Sequence, residues 1–149
     1  MLLLCAGLLA GSGVPAAADG ALAIGVTAAF PSGGFSVGVS AGSAGEARAQ
    51  AVAMRGCRGE DRASPNFMAA AREPTEAEKR CEVVATFHDR CVGVAVNGDE
   101  TTPTYAYGWA VAATSASAEA QAQARCEEMR KGEGRECVVR KPVCDGAVH

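Results

Sequence analysis

Cysteine and histidine carry most of the reactive potential of this chain. Six cysteines fall into two sets of three, Cys57, Cys81, Cys91 and Cys126, Cys137, Cys144, with Cys5 standing apart near the start. Paired thiols persist as disulfides where the compartment is oxidising. A zinc site would draw on His88 with Cys81 and Cys91, but no Cys-x-x-Cys occurs and the other histidine, His149, is the last residue. Structural zinc wants four closely spaced ligands, so the pattern argues against a metal. The same missing motif argues against a thioredoxin-like redox site. A Cys-His nucleophile needs one free thiol beside His88, whereas each of the six cysteines beyond the leader has a structural partner to hand, and Cys5 is expected to leave with the leader. No cofactor is expected.

Other catalytic constellations are absent from the pattern. Glu127 and Glu128 are adjacent on a helical stretch, where neighbours point apart, and Glu133 and Glu136 belong to a turn. The glycines are scattered through strand pairs and form no phosphate-cradling loop ahead of a helix. Tyr105, Tyr107 and Trp109 alternate along one strand and so share a face, which makes them the candidate binding surface. The competing reading is that this face is core, filling space that leucine fills elsewhere.

The elements that position these residues follow from hydrophobic periodicity. Leu22, Ile24, Val26 and then Phe35, Val37, Val39 alternate on two strands, with Pro31-Ser32-Gly33-Gly34 as turn chemistry between them. The pattern returns in Val92, Val94, Val96 and Tyr105, Tyr107, Trp109. Each pair precedes an Ala-rich helix, and Ala49, Ala53, Cys57 align with Ala118, Ala122, Cys126 as one helical stripe of small side chains. Ser43-Ala44-Gly45-Glu46 has the form of a capping box for the first helix. Ser115 or Ser117 would cap the second, and Gly132 and Gly134 would end it. Cys81-Glu82-Val83-Val84 and Cys137-Val138-Val139 then open a third strand in each half.

The expected fold class is therefore α+β: one antiparallel-rich sheet with two packed helices, built from two β-β-α-β pseudo-repeats and stapled by disulfides. The repeats run over about 20–91 and 92–149, within one domain spanning 19–149. The halves differ by an insertion over about 58–80 with Pro65 and Pro74, expected as a surface loop, in which Ala69 to Arg72 has the makings of a brief helical turn. Local symmetry pairs Cys57 with Cys81 and Cys126 with Cys137, leaving Cys91 to meet Cys144. Six cysteines admit fifteen pairings, so others stay open.

Residues 1–18 read as a signal peptide. Leu2, Leu3, Leu4, Leu8 and Leu9 form a short apolar run, Gly11, Gly13 and Pro15 break it, and Ala16-Ala17-Ala18 offers a cut before Asp19. The first basic residue is Arg48, so the usual positive start is missing: either the true start lies upstream of Met1 or the leader is weak. The run falls short of the ~20 residues that span a bilayer, so no stable membrane anchor is expected.

Composition narrows the partners. The net charge is -3 with no basic stretch, which argues against nucleic acid. Beyond Ala18 the chain has a single leucine, Leu22, and a single isoleucine, Ile24. Small side chains bury little area each at ~25 cal/mol per Å². Disulfides at ~2–4 kcal/mol apiece would offset that deficit.

Gly108-Trp109-Ala110, Ser117-Ala118-Glu119-Ala120 leading to Ala122 and Cys126, then Cys137-Val138-Val139 and Cys144, resemble the bacterial secreted family called domain of unknown function 4189. The first half, with Ala21-Leu22-Ala23-Ile24, Ala49, Ala53, Cys57 and Cys81, carries the pattern more faintly. Two departures stand out: Phe35-Ser36-Val37-Gly38 lacks the Gly-Trp element, and the insertion is long. The resemblance implies an exported domain and assigns no activity. The reading is a secreted or periplasmic, non-enzymatic binding module whose partner is a protein or envelope component. The alternative is a small secreted hydrolase with a site near His88 and the insertion.

Overall fold

In a computed structural model, residues 18–28, 34–60, 73–98, 106–132 and 134–146 are described. Residues 1–17 of the proposed leader, Ala69 to Arg72 and Tyr105 lie outside these stretches. Nine elements follow in order: β1 (Ala18–Val26), β2 (Phe35–Ala44), α1 (Glu46–Cys57), α2 (Glu76–Lys79), β3 (Glu82–Phe87), β4 (Cys91–Val96), β5 (Tyr107–Ala112), α3 (Ser115–Arg130) and β6 (Val138–Cys144).

The class is α+β and all strand pairing is antiparallel. Where the sequence suggested one sheet, hydrogen bonding divides the strands into two three-stranded sheets, ordered β2-β1-β3 and β5-β4-β6. The first strand of each half is central, and the second and third flank it. Cys91 opens β4, and the Cys91–Cys144 bridge lies within the second sheet, between registered partners on β4 and β6. The other bridges are Cys57–Cys81, from the end of α1 to the residue before β3, and Cys126–Cys137, from α3 to the residue before β6.

Side-chain size sorts the layers. Leu22, Ile24 and Phe87 of the first sheet pack against Val92 and Val94 of the second, flanked by Val37, Val39, Trp109 and Val143. The opposite faces carry small residues: Ala21 and Ala23 meet Ala49, Ala53 and the Cys57–Cys81 bridge, while Ala95 and Ala110 meet Ala122 and the Cys126–Cys137 bridge. Large residues thus fill the space between sheets, and small ones let each helix lie close on its own sheet. Both central strands are covered on both faces, which is why β4, Cys91–Val96, is buried throughout.

Glycine completes the close approach at equivalent places. A side chain on Gly38 would strike the backbone of Ala53 and Cys57, and one on Gly108 that of Ala122 and Cys126. The Ser36 hydroxyl also donates to the Cys57 carbonyl.

Helix starts depart from expectation. Gly45 with φ 100° is the N-cap of α1 and gives no side-chain cap, because Ser43 turns to Ser40 instead, at 2.8 Å. Thr114, rather than Ser115 or Ser117, caps α3 through the Ser117 amide at 3.2 Å. The full capping box sits on α2, where Thr75 accepts from the Glu78 amide at 3.2 Å and Glu78 returns the bond at 2.7 Å. That end of the insertion is anchored: Ala77 and Glu78 are buried, and the Ala77 carbonyl sits where a side chain on Gly25 would go.

Candidate functional site

Two of the aromatic candidates, Tyr107 and Trp109, face inward. Tyr107 and Trp109 are half-buried in the layer between the sheets, and the Tyr107 ring lies 4.9 Å from that of Phe35. They thus pack with residues of both sheets, the first contributing Val37 and Val39.

His88 follows β3 and stands among carboxylates. Its Nδ1 lies 3.3 Å from Asp19 and 3.8 Å from Asp145, and its Nε2 lies 3.2 Å from Asp89. Asp145 is fully buried, and its Oδ1 accepts the Gly42 amide at 2.9 Å. The imidazole is therefore part of a polar seam between the halves. Both ring nitrogens face carboxylates. All six cysteines of the two sets are in disulfides. The adjoining pocket, bounded by Asp19, Glu46, Thr86, Phe87 and His88, holds about 170 Å³, below the ~300–1,000 Å³ usual for small-molecule sites.

The hydrolase alternative placed its site between His88 and the insertion. In the structure Phe87, next to His88, pairs with Gly20 near the start of β1, whereas α2 packs by Gly25 near its end. At ~3.3 Å per residue Gly20 and Gly25 are about 17 Å apart along the strand. His88 and the described end of the insertion do not share a site. Among the described residues no group of three or more His, Cys, Asp or Glu is placed to hold a metal, and no helix is long and apolar enough to cross a membrane.

Sheet edges supply the surface that motif reading missed. On β5 the Arg125 guanidinium donates to the Trp109 carbonyl at 2.6 Å and lies 5.9 Å over the Trp109 ring, so α3 covers that edge. On β6, Pro142 interrupts the strand with a missing donor and Arg140 adds charge. The edge strand β2 is the longest, ten residues without charge or proline. Beside its second half runs a groove of about 570 Å³, with Ser40 and Gly42 on the strand side and Arg48 and Val52 on the α1 side. In the helix alignment Gly56 stands where α3 has Arg125, so a sequence signal for the difference existed in that one pair.

The profile of one protein family, a domain of unknown function numbered 4189, matches residues 20–144, from β1 to the last residue of β6. The chain belongs to the domain of unknown function 4189 family. The match takes in both halves, all three bridges and both edges described above, so within this family the two-sheet scaffold is the unit to be explained. No curated protein and no solved structure matches the chain.

Proposed function

We propose that this domain of unknown function 4189 protein is exported to the periplasm or beyond after loss of its leader, and that it acts there as a non-enzymatic binding module for a protein or envelope component. The observation that carries the reading is the contrast between edges: β5 is covered by Arg125, and β2 is open beside a groove. An uncovered strand edge presents backbone donors and acceptors to another chain, and proteins that do not use such an edge usually guard it. Export is supported by three disulfides, which an oxidising compartment preserves. The two halves then serve as a doubled scaffold in which sulfur bridges hold helices onto small-residue sheet faces.

Two measurements test this. Intact mass of protein recovered from its native producer should show loss of the first eighteen residues and the six-proton deficit of three bridges; retention of the leader with free thiols would refute export. The immobilised oxidised chain should retain an envelope or culture-fluid component saturably, and absence of any saturable retention would remove the binding role.

A further inference from the structure

Resting on that binding reading, we infer that the β2 edge takes an extended peptide segment as a fourth strand of the first sheet, and that the segment carries apolar side chains with one acidic side chain at the end beside Arg48. The backbone supplies the first reason. β2 pairs with β1 in regular register from Phe35 to Ser40, no described strand pairs with its other side, and of its amides beside the groove Gly42 is already committed to Asp145. Main-chain hydrogen bonding along such an edge gives affinity, and alternate side chains give selectivity.

Side-chain chemistry fixes the occupant. A strand laid along β2 points every second side chain toward α1, where Val52 and then Arg48 form the far wall of the groove. Val52 is half-buried and calls for an apolar neighbour. Arg48 is exposed and makes no ion pair among the described residues, so a carboxylate there meets an uncommitted guanidinium. The intervening side chains point toward the second sheet and extend the row of Val37 and Val39, which calls for apolar or β-branched residues. A second copy of the chain offers no such match, because a paired β2 carries no acidic side chain to set beside Arg48.

The second half shows how this edge would be closed. Arg125 reaches from α3 to the β5 backbone, and its counterpart Gly56 has no side chain with which to reach Val39. Replacing Gly56 by arginine should therefore install the missing cover.

The test uses the oxidised full chain and a fluorescein-labelled peptide amide, Gly-Thr-Val-Thr-Val-Thr-Glu-Thr, read by anisotropy. Saturable binding is expected. It should weaken tenfold or more with Arg48→Glu and with Gly56→Arg, and recover in Arg48→Glu when the peptide glutamate is replaced by lysine. N-methylation of alternate peptide amides should abolish it while leaving the protein untouched, a control independent of folding. No saturable binding, equal binding of the N-methylated peptide, or indifference to both substitutions overturns the inference. Sedimentation showing a dimer that Gly56→Arg dissociates and the peptide does not would assign the edge to a second copy and overturn it too. If the chain still retains an envelope component saturably while the peptide fails, the edge assignment falls and the binding role stands.

Discussion

Asp145 accepts the amide hydrogen of Gly42 at 2.9 Å, joining the residue after the last strand to a bulge in the second. Asp145 is fully buried, and its own amide donates to the Arg90 carbonyl at 2.9 Å, so backbone and side chain of this residue each make one bond across the seam. Asp145→Ala would leave the Gly42 donor without a partner at a cost of about 1–3 kcal/mol. Asp145→Asn keeps an acceptor oxygen and should cost less than Asp145→Ala. Urea unfolding of both variants checks this, and an unchanged midpoint for Asp145→Ala would show that the contact contributes nothing.

Gly38 and Gly108 should tolerate no side chain. Each lies under the backbone of a helix, which cannot rotate out of the way as a side chain can. Gly38→Ala and Gly108→Ala are each expected to destabilise by about 1–3 kcal/mol or more, the range for overpacking a tight interior. Thermal or urea unfolding of the two variants reads the effect, and wild-type stability in either would mean that the helix lifts freely from its sheet.

Much of this layering was legible because it is written in side-chain size at strand and helix periods. Leu22, Ile24 and Val26 alternate with Ala21, Ala23 and Gly25, and Ala49, Ala53 and Cys57 mark a helix face, so each residue's layer follows from local spacing. The division into two sheets does not. β1 and β4 are both apolar on both faces, and alternation says which residues share a face without saying which strands share hydrogen bonds. The seam was hidden for a related reason: Asp19, His88 and Asp145 come from three distant parts of the chain, and no spacing rule links them. The capping error at Ser43 came from a bulge in β2, which turns that hydroxyl to Ser40 and away from the helix.

Removing the bridges one at a time should rank them by the loop each closes. The separations are 53 residues for Cys91–Cys144, 24 for Cys57–Cys81 and 11 for Cys126–Cys137. Chain entropy alone gives about 4 kcal/mol for the longest and about 3 kcal/mol for the shortest. Paired Cys→Ala variants unfolded in urea should therefore lose most from Cys91 and Cys144. The reverse order would indicate that packing against the helices, rather than loop closure, sets the contribution, since Cys57 and Cys126 lie in the helix-sheet layers.

Glu127 gives the clearest pH dependence. Its Oε1 accepts the Cys137 amide at 2.6 Å and its Oε2 accepts from Arg130 at 2.6 Å, so α3 grips the residue that opens into β6. The Cys137 amide first, and then Arg130, hold the Glu127 carboxyl below the ordinary glutamate value of 4.5. A depressed carboxyl favours the folded state above its unfolded value, and that contribution is lost as pH falls through the folded one. Wild type should therefore exceed Glu127→Gln in stability at neutral pH, with the gap narrowing as pH drops below 4.5 and closed once the folded carboxyl has also taken up its proton. Carbon-detected NMR titration of Glu127 supplies the direct check: a midpoint at or above 4.5 would contradict the grip on Cys137. A stability gap that stays constant through the acid range would place the effect of Glu127→Gln in packing rather than in charge.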